Sequence, residues 1–244
     1  MALIQLDRVS VDLPVYSANS RSLKAKLLPS SRLAAGPRHQ ILVHALREIS
    51  CEFQAGDHVA LVGRNGAGKS TLLSVLAGIY EPAYGRVRIE GRIAALLDMS
   101  LGMEDDATGH ENITTRGRLL GMSSAEIAAR MAEIIDFAGL GEHIDLPLRT
   151  YSSGMRVRLA FSVSTCVAPD ILLLDEVIGV GDAEFAKRSA ERMRQLIQRS
   201  QILVVASHNT QLLAELCTKA IWLEGGRVRE IGPAPAVMAA YQKS

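Results

Sequence analysis

Apolar and polar residues alternate across residues 3–11, the period of a strand with one face in a core. Residues 17–40 then change character. They are rich in Ser, Arg and Lys and hold Pro29, Gly36 and Pro37, so they read as an inserted loop with a short helix at residues 23–28. Regular structure resumes over residues 45–53. Residues 59–62 form a short, wholly apolar strand that enters a glycine-rich turn, and residues 69–77 follow as a helix. Residues 87–89 and 93–97 read as further strands. From residue 108 to residue 164 the period is helical. Over residues 124–137, Ile127, Met131, Ile134 and Ile135 share one face, with Ser123 or Ser124 placed to cap it. Beyond Pro169, strands at residues 171–174, 202–206 and 220–223 alternate with helices. Gly225-Gly226 reads as a hairpin turn, and a last helix covers residues 234–241. Strands alternating with helices predict an α/β core with a largely parallel sheet, into which a helical section is inserted. No internal repeat is visible.

Composition narrows the class without naming a function. The 244 residues are 48% hydrophobic and 22% charged, ordinary for a globular chain, and a net charge of +1 gives no general attraction to nucleic acid or anionic lipid. Cys51, Cys166 and Cys217 are far apart, with no CxxC and no adjacent His pattern. They read as buried thiols, not as a disulfide framework or a zinc site. The first eight residues lack the basic-then-apolar pattern of a secretory signal. No uncharged apolar run approaches the ~20 residues of a membrane helix. The longest contender, residues 159–174, is broken by Pro169 and Asp170. The expectation is a chain that stays in the cytoplasm and docks onto a membrane-spanning partner.

Gly63-Arg64-Asn65-Gly66-Ala67-Gly68-Lys69-Ser70-Thr71 matches G-x-x-x-x-G-K-[ST] in full, between an apolar strand and a helix. Glycines let the backbone wrap closely enough for its N–H groups to point at phosphate oxygens. The helix from Lys69 adds the positive end of its dipole, Lys69 reaches for the terminal phosphates, and the Ser70 hydroxyl suits Mg²⁺. Downstream, Ile171-Leu172-Leu173-Leu174 is an apolar strand ending in Asp175 and Glu176. The carboxyl end of a central strand is where ligands bind in an open α/β sheet. Asp175 suits the outer shell of Mg²⁺, and Glu176 is placed to orient or deprotonate an attacking water.

At this point the chain resembles the ABC ATPases. Tyr151-Ser152-Ser153-Gly154-Met155 stands where that family carries its LSGGQ signature, Gly179-Val180-Gly181-Asp182 where it has its D-loop, and Val205-Ala206-Ser207-His208 where it has its switch histidine. The motifs lie in the family's order, and the resemblance covers essentially the whole chain. It implies an α/β, P-loop ABC-type nucleotide-binding domain with a mostly parallel core sheet, an antiparallel β subdomain and an inserted α-helical subdomain. The core would comprise residues 1–98 and 170–232, the helical subdomain residues 99–169, and a C-terminal helix residues 233–244. It also implies ATP and Mg²⁺, with Glu176 and His208 catalytic and Asp182 beside the nucleotide. Ser152, Ser153 and Gly154 of one copy would close over the γ-phosphate held by the P-loop of another. Two copies would thus sandwich two ATP molecules as a homodimer.

The spelling of the motifs is similar to the polysaccharide exporters of O-antigen, capsule and teichoic acid. Tyr151 to Met155 running into Arg156-Val157-Arg158-Leu159-Ala160-Phe161-Ser162, Val180-Gly181-Asp182-Ala183-Glu184-Phe185, and Thr108-Gly109-His110-Glu111-Asn112-Ile113 carry the likeness. The insertion after the first strand is similar to that of the O-antigen (Wzt-type) ATPases. The implied activity is ATP hydrolysis coupled to movement of a polysaccharide, best fitted by a lipid-linked O-antigen glycan, across the inner membrane. The partner is an integral membrane permease, the place is the cytoplasmic face of a bacterial inner membrane, and no nucleic acid is involved. The sequence also departs from the family. Asp98 stands where most members have a metal-contacting Gln, in a stretch, residues 98–103, expected to face the membrane partner. Tyr16 is a candidate for the aromatic that stacks on adenine, although strict spacing selects Leu13. The chain has no room after its last helix for the glycan-reading domain of some O-antigen ATPases, so export without terminal recognition by this subunit is expected. Other transporter classes, and soluble ABC ATPases of DNA repair or translation, are the rival readings.

Overall fold

The apolar rhythm of the first strand breaks step: Ile4 and Leu6 are followed by Val9 and Val11, and all four are buried. In the computed structural model, which describes residues 1–15, 33–35, 41–97, 102–175 and 183–244, that break is a β-bulge. Strands β1 (Leu3–Val15), β2 (Leu33–Ala35), β3 (Ile41–Gln54) and β5 (Tyr84–Glu90) form an antiparallel sheet in the order β2-β3-β1-β5. Leu6 faces Cys51 and Val9 faces Ile49, so Asp7 and Arg8 lie opposite Ser50 alone. Val11 next faces Leu46, so Ser10 lies opposite Arg47 and Glu48. Each strand therefore carries one extra residue, and both extras, Arg8 (φ 48°) and Glu48 (φ 52°), take the left-handed conformation. The bulges are reciprocal: the Arg8 N–H donates to Ser50 Oγ and the Glu48 N–H to Ser10 Oγ, both at 2.9 Å. Without the extra residue, Arg8 instead of Val9 would turn inward, because a one-residue slip reverses every side chain.

Two compact units are distinguished, residues Met1–Gly91 with Val204–Ser244, and residues Arg92–Leu203. Besides the antiparallel sheet, the first contains β4 (His58–Val62), β9 (Lys219–Glu224) and β10 (Arg227–Pro233). β4 runs parallel to β9, and β9 pairs antiparallel with β10. The hairpin turn is Gly225-Gly226, with φ of 61° and 79°, as two adjacent left-handed positions require. Helices α1 (Lys69–Leu76), α6 (Thr210–Leu216) and α7 (Ala234–Gln242) complete the unit. Trp222 meets Tyr241 of α7 edge-on, at 5.6 Å between ring centroids. Strand β8 (Ile202–Ala206), every residue of which is buried, crosses the boundary between the units.

In the second unit β6 (Ile93–Leu96) runs parallel to β7 (Ile171–Asp175). Helices α2 (Gly109–Leu119), α3 (Ser124–Ala138), α4 (Ser153–Ser164) and α5 (Ala183–Arg199) follow the helical periods of the sequence. Ile113, Ile127, Ile134, Leu140, Ile144, Leu148, Leu159 and Val163 form the core shared by α2, α3 and α4, whereas α5 packs through Phe185 against Phe161. Ser123, not Ser124, caps α3, in a full capping box with Glu126. Asp170, the residue that breaks the apolar run, accepts the Arg92 N–H at 2.8 Å and the Gln201 amide at 2.7 Å. The fold is thus α/β, with a mostly parallel sheet, an antiparallel sheet and helices. Within the expected insertion, residues 33–35 are strand; the short helix expected at residues 23–28 lies outside the described residues. Cys166 and Cys217 are buried as expected, whereas Cys51 is only half-buried.

Candidate nucleotide site

The turn from β4 into α1 is shaped by glycine at each close approach. A Cβ on Gly63 would lie 2.3 Å from the Leu223 carbonyl oxygen, and one on Gly68 would lie 2.9 Å from Leu46 Cδ2 and 3.0 Å from the Ala45 oxygen. Gly68 is also the N-cap of α1, at φ 111°. Gly66 differs: a Cβ there would meet nothing within 4 Å, but its φ is 73°. Backbone bonds brace the loop from two other elements. The Gly226 N–H donates to the Ala67 oxygen at 3.0 Å, and the Arg47 N–H to the Gly226 oxygen at 2.7 Å. Lys69 curls back over the turn, its Nζ donating to the oxygens of Gly63 at 2.7 Å and Arg64 at 3.3 Å. Among the described residues α1 has no side-chain cap and no acid in its first turn, which leaves its leading N–H groups and dipole for an anion. Asn65 and Ser70 are exposed and Thr71 is half-buried.

His208 lies in the same unit, exposed just past the end of β8. The turn around it is set by local bonds: the Asn209 N–H donates to Ser207 Oγ at 3.1 Å, and Asn209 caps α6. Beside the P-loop, Arg64, Asn65 and Trp222 border one open recess of about 820 Å³ with Arg229 and Tyr241. Trp222, the single tryptophan, is therefore a built-in reporter of this loop.

The second unit carries the other expected residues. Asp175 ends β7, half-buried after four buried residues. Ser152 is the N-cap of α4 and accepts the Met155 N–H at 3.2 Å, and Ser153 and Gly154 form the first turn. That turn also has no acidic residue. Tyr151, just ahead of it, is buried and donates its hydroxyl to the His143 oxygen at 2.6 Å. Gly109 makes room for that ring, since a Cβ there would lie 2.5 Å from the Tyr151 hydroxyl and 2.8 Å from the Ile144 oxygen. Tyr16, Asp98, Glu176 and Asp182 lie outside the described residues.

Residues to which the sequence reading gave no role of their own support this turn. Asn112, fully buried, accepts the Glu104 N–H at 2.7 Å and donates to the oxygens of Glu104, Ala107 and Thr108 at 3.0, 3.1 and 2.9 Å. Asp105 pairs with Arg156, and Asp106 with Arg149. A buried Asn one turn after a capping Thr is the one local hint the sequence offered.

The ABC transporter family matches residues 46–179. The O-antigen export system ATP-binding protein RfbE of Yersinia enterocolitica is 42% identical over 233 residues, 94% of this chain and 98% of that protein. RfbB of Myxococcus xanthus, with the same description, is 45% identical over 91% of this chain, which spans 51% of its length. The teichoic acids export ATP-binding protein TagH of Listeria monocytogenes is 34% identical over 98% of this chain and 70% of its own. Among solved structures, an ATP binding subunit of an ABC transporter superposes with a TM-score of 0.67 at 21% identity, covering 98% of this chain and 93% of that one. A dimeric ATP-binding cassette in a post-hydrolysis state with ADP and Pi gives 0.66 at 18% identity, covering 95% and 98%.

Proposed function

This chain belongs to the ABC transporter family, and from that premise we propose that it is the ATP-binding and ATP-hydrolysing subunit of a polysaccharide exporter. The transported substrate is a lipid-linked O-antigen glycan. The observation that carries the ATPase half is the β4–α1 turn, whose glycines are required by contact or by φ and whose Lys69 folds over a helix start that has no side-chain cap. The export half is supported by 42% identity to an O-antigen export ATP-binding protein over nearly its full length. Teichoic acid export is the second reading; its relative is also matched over most of its length, but at 34% identity.

In this reading the P-loop N–H groups and Lys69 hold the phosphates of ATP. Glu176 orients or deprotonates the attacking water, and His208, exposed at the end of β8, contacts the γ-phosphate. The first turn of α4, Ser152 to Gly154, offers N–H groups and hydroxyls to the γ-phosphate of a second copy, so that two chains close on two ATP molecules. The Ser70 hydroxyl and the Asp175 carboxylate are hard oxygen donors that fit Mg²⁺, with Asp98 as a third candidate. Bound there, the cation would neutralise phosphate charge. Tyr16 is the proposed adenine contact and Asp182 a further nucleotide contact. Residues 1–98 and 170–232 act as the catalytic core and residues 99–169 as the helical subdomain. Among the described residues no helix is long and apolar enough to cross a membrane. A permease supplies the path, and the ATPase docks on it at the cytoplasmic face. Closure does work on that partner only through differential affinity for its two states.

Glu176→Gln should hold an ATP-bound dimer, and the test is what it brings down from detergent-solubilised membranes. An integral membrane protein in stoichiometric amount is the expected result. Recovery of soluble partners alone would overturn export while leaving the ATPase in place.

A further inference from the structure

Helix α4 begins with a charge that its own dipole disfavours. Arg156 sits at the end of the first turn, near the positive pole, and no acid in that turn offsets it. The counter-charge comes from 51 positions upstream, where Asp105 accepts from the Arg156 guanidinium. A second pair of the same design, Asp106 with Arg149, lies just before the helix. Between them the backbone is stitched: the Arg149 N–H donates to the Asp105 oxygen at 2.8 Å, and the Leu148 N–H to the Ala107 oxygen at 2.9 Å. Two adjacent carboxylates thus straddle Ser152, Ser153 and Gly154, one tether upstream and one downstream. The segment that carries them is itself locked by the four bonds of buried Asn112.

Folding has little need of these ion pairs. Asp105 is 64% exposed and Asp106 91% exposed, and exposed pairs contribute little to stability. Their geometry is what distinguishes them, because both tethers run from one rigid segment to the two ends of one short turn. We propose that Asp105 and Arg156 are positioning residues that set the placement of the α4 first turn for closure on ATP. They make that turn and residues 102–108 move as one piece. The inference rests on the reading of this turn as the nucleotide-closing element.

The test uses Glu176→Gln as parent, with Asp105→Ala, Arg156→Ala and the double variant, none of which adds a carboxylate to the turn. Dimer formation against ATP concentration is followed by light scattering, and ATP binding to the monomer by Trp222 fluorescence. Each single variant should need about 5-fold more ATP for half-dimerisation, with monomer binding unmoved, and the double should need no more than either single, because both singles break the same pair. Singles that dimerise like the parent would overturn the proposal. So would a double variant whose cost is the sum of the singles, or singles whose monomer binding and melting temperature fall together. A parent that never dimerises with ATP would remove the underlying reading and the proposal with it.

Discussion

Completing the capping box at the start of α4 should leave the fold alone and abolish its closure. Helices α2 and α3 each begin with a full box, Thr108 with Glu111 and Ser123 with Glu126. Helix α4 has the Ser152 half and places Met155 where the acid would stand. Met155→Glu would supply it, a gain of about 1 kcal/mol from the reciprocal bond and the dipole. Met155 is partly buried against the cluster around Leu159 and Val163, and losing that contact costs about 1 kcal/mol. The two offset, so the melting temperature should move by no more than about 2–4 °C. Closure is another matter. A carboxylate about 5–6 Å from a phosphate charge repels it by about 2–3 kcal/mol at an effective dielectric of about 20–30. Two such sites double the cost but two ATP molecules enter per dimer, so the ATP needed for half-dimerisation of the Glu176→Gln parent should rise about 30- to 150-fold. Met155→Gln, which completes the box without charge, is the control and should dimerise like the parent. If Glu and Gln at this position dimerise equally well, the α4 first turn does not meet a phosphate.

The Gly109→Ala and Tyr151→Phe variants should couple. Each alone lowers urea stability by about 1–2 kcal/mol, from overpacking and from the lost bond to the His143 oxygen, and the double loses less than their sum. Strict additivity would mean that the hydroxyl is not what Gly109 makes room for. Arg8→Gly and Glu48→Gly should each stabilise by about 0.5–1 kcal/mol, since relief of left-handed strain outweighs glycine's entropy cost, whereas Arg8→Ala should gain nothing. Burial pushes the Cys51 and Cys217 thiols up to about 12 and raises Cys166 too. They stay protonated at pH 8, so a disulfide reagent should titrate no thiol in the folded chain and all three Cys in denaturant. The Ser123 N–H, with the Arg92 guanidinium and the Ser123 hydroxyl, holds Glu126 at about 2 against an ordinary 4.5. The Thr108 N–H likewise lowers Glu111. A lowered carboxylate stabilises fully above 4.5 and loses that contribution as pH falls toward 2, so the helical signal should soften in that window. In Glu126→Gln the loss should be blunted; an unchanged acid profile would remove the capping boxes as its cause.

What was legible in the sequence is what is local. The P-loop, the hairpin at Gly225-Gly226 and the caps of α2 and α3 are written in residues a few positions apart, where one conformation needs one residue type. The bulges were legible only as a skip, Leu6 to Val9 in β1 and Leu46 to Ile49 in β3, which a strict period of two passes over. Among the supports of α4 the Asp105–Arg156 pairing was not legible, because the two meet only when α2, α3 and α4 have packed. No periodicity records a pairing across that separation.

The glycines of the P-loop separate the two demands that a single motif superimposes. Gly63 and Gly68 are enforced from within the protein, by the Leu223 carbonyl and by Leu46 with Ala45. Gly226, outside the motif, obeys the same rule, since a Cβ there would lie 2.6 Å from the Ala45 oxygen. These three glycines draw β3, the β9–β10 hairpin and the start of α1 into contact, and the loop's shape follows from that packing before any ligand arrives. A Cβ on Gly66 would meet nothing within 4 Å, so crowding at that position does not explain the glycine. What remains is its φ of 73°, which turns the backbone between Asn65 and Ala67. A loop shaped by packing at Gly63 and Gly68 and by φ at Gly66 is organised in advance for an anion, and its ordering cost is met in folding, not in binding.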